Sequence, residues 1–130
     1  MPRVTTTRIR LQWPPTVNTY WRTPRQGPLA GRTMISAKGR KYREHVAQSV
    51  LEAGFPKFAD QRLRVTIHCH QPDRRKRDLS NLPKGIEDGL EAVGVFDDDE
   101  QIDDLRIVRH PPCKPGHVIV EIEAIQHKEP

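Results

Sequence analysis

The sequence predicts a small single α/β domain, with α and β mixed, in the order β-α-β-α-β-β around a mixed sheet with two main helices. Its 130 residues are enough for one domain, 1–130, and too few for two. Two segments alternate apolar with polar residues, as half-buried strands do. Two others repeat apolar residues at helical spacing, and no internal repeat intervenes.

The first strand is expected over Arg8–Trp13, where Ile9, Leu11 and Trp13 alternate with Arg8, Arg10 and Gln12. Residues 14–35 are rich in Pro, Gly and Arg and show no period, so they read as a long irregular loop. A loop of that length in a small domain marks a binding or dimer-forming segment. A helix follows from Ser36 to Ala53, with Ser36 as N-cap and Gly54 just past its end. Tyr42, Val46 and Val50 form its apolar stripe, widened by Ala47 and Leu51. Leu63–His70 is the clearest strand: Leu63, Val65, Ile67 and Cys69 face one way, and Arg64, Thr66, His68 and His70 the other. A second helix is expected over Ser80–Val93, striped by Leu82, Ile86, Leu90 and Val93. Leu105–Arg109 and Val118–Ile125 close the domain, joined by a turn holding Pro111, Pro112, Pro115 and Gly116.

Only 35% of residues are hydrophobic, a lean supply for a self-sufficient core, and this points to oligomerisation. No run of 18 apolar residues and no apolar stretch of signal length occurs, which argues against a membrane span and against secretion. Two cysteines are too few for a disulfide framework, so the expected location is the cytoplasm. The net charge of +5 conceals a polarity: residues 1–77 carry +13 and residues 78–130 carry −8. A basic half calls for a polyanionic partner. The acidic half would repel that partner, and divalent metal ions give it a reason to exist.

The informative stretch runs from Asp73 through Arg74, Arg75, Lys76 and Arg77 to Asp78, then Asn81 and Lys84, with the acidic run Asp97–Glu100 further on. Phosphodiester hydrolysis needs these residue types together. Carboxylates hold Mg²⁺ or Mn²⁺, a lysine and a helix N-terminus stabilise the charge of the transition state, and outlying cations hold neighbouring phosphates. Each piece alone has a blander reading, as a solvated basic loop or a solvated acidic turn. An EF-hand reading is poor, because Ile102 stands where glycine is needed and Val108 where the bidentate acid is needed. The combination in this order favours the nuclease reading. Lys38, Arg40, Lys41 and Arg43 sit in the first turns of the first helix, against its dipole, and bound phosphate would resolve that conflict.

These residues resemble the RusA family of Holliday junction resolvases over nearly the whole chain. Leu11–Trp21 resembles the family's opening Trp-Pro-Pro segment, and Ser36–Arg43 its first helix start. Arg77–Lys84 resembles the pattern Asp-x-Asp-Asn-x-x-Lys, and Asp98–Ile102 the element Asp-Asp-x-Gln-Val. The resemblance implies a homodimer that binds four-way junction DNA and makes paired symmetric nicks with Mg²⁺ or Mn²⁺, in the cytoplasm of a bacterial or phage-infected cell. By position it makes Asp78, Asp99 and Lys84 catalytic, and Asp78 and Asp99 metal ligands with Asp98 assisting. The DNA-binding set is then Arg74, Arg75, Lys76, Arg77, Lys38, Arg40, Lys41 and Arg43.

The family's third aspartate falls on Ser80. Pro83 restricts the helix N-cap to Ser80, Asn81 or Leu82, so Ser80 either caps the helix or contacts the metal directly or through water. Asp98, Asp97 or Asp88 would restore the missing carboxylate, Asp88 least conveniently. Two competing readings follow. One is a junction-binding protein with weak or no catalysis, resting on Ser80 alone. The other is a zinc-stabilised module using His68, His70, His110, Cys113 and His117, which lacks any Cys-x2-Cys anchor. Trp13, Tyr20 and Trp21 are candidate dimer anchors or stacking surfaces for unpaired bases.

Overall fold

The computed structural model describes residues 6–125. In chain order the elements are β1 (Thr7–Gln12), a one-turn helix α1 (Val17–Tyr20), β2 (Trp21–Arg22), β3 (Met34–Ile35), α2 (Ala37–Glu52), β4 (Leu63–His70), α3 (Pro83–Ala92), β5 (Ile102–Arg109) and β6 (His117–Ala124). The main sheet is ordered β1-β6-β4-β5, with β4 and β5 parallel and the other pairs antiparallel. It is a mixed sheet with two main helices on one face. Tyr42, Val46 and Val50 from α2 and Ile86 and Leu90 from α3 bury against Ile9, Leu11, Val65, Ile67, Val118 and Val120.

Local chemistry explains the sharpest boundaries. Ser36 Oγ accepts the Gly39 N–H at 3.0 Å and caps α2. Gly54, with φ +89°, takes the left-handed turn that ends it. β4 alternates buried and half-buried residues along its whole length, as the pattern of its sequence requires.

Other elements differ from the sequence expectation. Leu51 does not widen the α2 stripe; it is 61% exposed, beyond the edge of the sheet-facing side. The second helix is split: a 3-10 turn at Leu79–Asn81, capped by Asp78, precedes α3, which starts at Pro83 with Leu82 as N-cap. Ser80 therefore does not cap α3. The strand expected at Leu105 begins at Ile102, because Ile102 and Asp104 already pair with Leu63 and Arg64 in the parallel ladder on β4. β5 and β6 are not neighbours, and their connection passes across the end of β4. Residues 14–35 are not wholly irregular. They hold α1 and a two-residue ribbon, Trp21 opposite Ile35 and Arg22 opposite Met34, too short to show a period. Tyr20 is a core residue rather than a surface anchor: it is fully buried, and its ring lies 3.2 Å from where a Cβ on Gly39 or Gly85 would stand.

Candidate metal centre and nucleic-acid interface

α3 carries Lys84, Glu87 and Glu91 along one face, at the three- and four-residue spacings that align side chains on a helix. The acidic turn is brought to that face by Gln101, which is 3% exposed. Its Oε1 accepts the N–H groups of Asp97 and Asp98 at 3.0 and 2.9 Å, and its Nε2 donates to the Ala59 and Gln61 carbonyls at 2.8 and 2.7 Å. Asp98 in turn caps the following 3-10 turn by accepting the Glu100 N–H. The result is a convergence: Glu91, Asp98 and Asp99 each offer a carboxylate oxygen, all within 4.8 Å of one another.

The carboxylates of this group outnumber the cation that acts on them. Burial, then the Asp98 carboxylate, raise the Asp99 pKa, with Lys84 the opposing cation. Burial likewise raises Glu91, and burial followed by Asp99 pushes Glu87 up to about 7. Glu87 and Glu91 were not singled out from the sequence. Their only signal was the helical spacing from Lys84, which a solvated face produces equally well. Glu100 and Asp103 pair with Arg62, so these two acids are committed elsewhere.

Asp78 stands outside the convergent group. Its Oδ1 accepts the Ser80 N–H at 3.0 Å and the Ser80 hydroxyl at 2.8 Å, and those two bonds lower its pKa. Asp97 contributes main-chain bonds to Gln101 and Ala59 and does not join the group. Asp88 points away from it. Its carboxylate accepts Arg43 Nε and Nη2 at 2.8 and 2.9 Å, and also the Tyr20 hydroxyl. A neutralised, hydrogen-bonded Asp88 has no reason to restore a missing metal ligand.

The expected DNA-binding cations fall into two sets. Arg43 is held by Asp88 across the helix interface, Arg77 is held by Asp73, and Arg40 donates to the Ile35 carbonyl. Arg74, Lys76, Lys38 and Lys41 are exposed and make no ion pair with another described residue. Arg75 lies 4.0 Å from Asp73 and is also exposed. The Arg77 guanidinium lies over the Trp13 ring, 5.8 Å from its centroid. Lys38, Lys41, His45 and Arg77 line a groove of about 450 Å³ on one side of Trp13.

The histidines do not form a zinc site. On the uncovered face of the sheet, His117, His70 and His110 stack in sequence with centroids 4.5 and 5.0 Å apart, His68 lies tilted at 40° to His110, and His68 meets Glu121. A hydrogen bond of 2.7 Å joins His68 Nδ1 to His110 Nε2, so that pair's nitrogens are turned to one another and not to a shared metal position. Among the described residues the convergent metal-ligating group is the acidic one. No helix of the described residues is long and apolar enough to cross a membrane.

Residues 12–123 match the family model described as endodeoxyribonuclease RusA. The chain is 40% identical to the crossover junction endodeoxyribonuclease RusA of Escherichia coli strain K12 over 114 residues, 88% of this chain and 91% of the relative. It is 41% identical to the protein of the same name from Enterobacteria phage HK97 over 118 residues, 88% and 94% of the two chains. With that of phage 82 it shares 41% identity over 121 residues, 90% and 93% of the two.

Proposed function

The chain belongs to the RusA family of endodeoxyribonucleases, and on that premise we propose that it is a Mg²⁺- or Mn²⁺-dependent nuclease that resolves four-way DNA junctions by paired symmetric nicks. The observation that carries this reading is the convergence of Glu91, Asp98 and Asp99 beside Lys84. The donor set fits a hard divalent cation: all ligands are carboxylate oxygens, and burial, followed by the neighbouring Asp98 carboxylate, raises the proton affinity of Asp99. When bound, such an ion supplies Lewis acidity to the phosphodiester and lowers the pKa of an attacking water.

The chain's own residues have distinct proposed roles. Glu91, Asp98 and Asp99 hold the ion. Lys84 offers its ammonium to the charge that accumulates on the phosphate. Asp78 enters as a catalytic carboxylate on its motif position, and Ser80 acts through it, as a positioning residue rather than a ligand. Arg74, Arg75, Lys76, Lys38 and Lys41 hold neighbouring phosphates. Two nicks across a two-fold junction call for a C₂ homodimer, expected in light scattering at about 30 kDa, twice the 15.0 kDa chain. The relatives from Escherichia coli and its phages support a bacterial cytoplasmic setting.

The test is a synthetic four-way junction incubated with Mg²⁺ and wild type, Asp99→Asn or Asp78→Asn. Wild type is expected to make paired nicks, and each variant to lose about 1,000-fold in rate while still binding the junction. Nicking that persists at full rate in EDTA, or in Asp99→Asn, would refute the reading. Binding without nicking by wild type, rescued by Ser80→Asp, would favour the junction-binding alternative.

A further inference from the structure

A second cleft, of about 310 Å³, shares the Trp13 wall with the basic groove and has Asp78 in its lining. Its walls are apolar and flat: the Trp13 indole under the Arg77 guanidinium, Pro15, and Leu79. Two amides, Asn18 and Asn81, are in its lining. Both residues are exposed, and neither side chain makes a hydrogen bond with another described residue. Cations bracket the cleft, with Lys38 and Lys41 in the groove behind Trp13 and Lys84 in the adjoining hollow that Asn18 also lines.

An apolar slot with amides at its rim and cations on both flanks matches one component of a nucleic acid. Phosphates suit the flanking lysines, and a nucleobase, apolar on its faces and polar at its edge, suits the slot. Asparagine amides pair with base edges through a donor and an acceptor together. At a crossover the base stack is interrupted, so drawing out one base costs less than within a continuous duplex.

We propose that this cleft binds one unstacked nucleobase of the junction beside the scissile phosphate, stacked on Trp13 and read at its edge by Asn18 and Asn81. The proposal rests on the junction-nuclease reading and adds a determinant of where the strand is cut.

A binding cycle in EDTA, so that nothing is cleaved, tests it. Wild type and Trp13→Ala are each titrated with an intact four-way junction and with junctions lacking the base at one crossover position at a time. Loss of the indole and loss of the base should each weaken binding about 5- to 150-fold, and at one position the combined loss should be no larger than either alone. Losses that multiply at every position would overturn the proposal. Trp13 packs partly against the core, so Trp13→Leu, which keeps apolar volume without the flat face, repeats the cycle if the alanine variant does not fold. Asn18→Ala should flatten the dependence of nicking rate on base identity at the same position, and an unchanged preference counts against the edge contact. Should Trp13→Ala convert a dimer to a monomer, the cleft is a contact between copies of the chain and the proposal fails. A wild type that binds four-way junctions no better than duplex removes the functional reading itself, whereas junction-selective binding with multiplying losses removes only the base cleft.

Discussion

α3 sends two carboxylates, one turn apart, into unlike surroundings. Asp88 meets a bidentate guanidinium and a phenol, so its charge is answered from within the chain. Glu91, one turn on, meets Asp98 and Asp99, and Lys84 is the cation acting on that group. Carboxylates crowded without a matching cation hold their protons more tightly and strain the fold that gathers them. An acid is structural where the chain itself neutralises it, and it invites an external cation where the chain does not.

The contrast breaks first if both carboxylates respond alike to metal. Glu91→Gln should weaken the Mg²⁺ dependence of nicking so that the rate at limiting metal falls by roughly 100-fold. Melting without metal should stay level or rise, since a repulsive charge is gone. A Mg²⁺ titration superimposable on wild type would take Glu91 out of the site. Asp88→Asn should do the reverse. It leaves Arg43 without its partner and should cost about 2 kcal/mol in denaturant unfolding, a figure reduced from the fully buried case because Arg43 is partly exposed. Its metal titration should not move.

The smallest effect sharpens the comparison through pH. Glu87 is held up to about 7, mainly by burial, against an unfolded value of 4.5. Its protonated form is favoured in the fold, so this contribution is fully present below the unfolded pKa and is lost as pH rises through the folded one. The wild type should therefore lose more stability than Glu87→Gln between about pH 5 and pH 8, by roughly 3 to 5 °C in Tm. Equal losses would mean that Glu87 is no more burdened than a surface acid.

Sequence patterns of short range survived into the structure best. Ser36, Gly54 and the alternation of Leu63–His70 act through their own backbone or nearest neighbours, and they mark α2 and β4 within a residue. The acidic turn was legible as a candidate because four acids stand in a row. Glu91 was not, since an acid on an amphipathic helix is ordinarily a solvated one. Arg43 read as a DNA contact because its neutralising partner lies 45 residues away and no local pattern announces the pair. α1 and the β2–β3 ribbon were hidden by brevity, and Leu51 by a stripe whose width only the packed sheet defines. Gln101 stood in a recognisable motif, yet its task of tethering the acidic turn to 59–61 depends on main-chain carbonyls that no side-chain pattern reveals.

Tyr20 has a consequence for how the molecule opens. Its ring sits against Gly39 of α2 and Gly85 of α3, its hydroxyl reaches Asp88, and its carbonyl accepts both the N–H and the hydroxyl of Ser36. A segment pinned to both helices at one fully buried residue has no private unfolding route at that point. In hydrogen-exchange terms the amides around 20 and 36 belong to the cooperative unit of the core, and they become solvent-exchangeable when the helices part from the sheet. The proline- and glycine-rich stretch beyond them, 23–33, is then a short excursion between two fixed posts, and the wall of the cleft at Trp13 and Asn18 inherits the rigidity of the core.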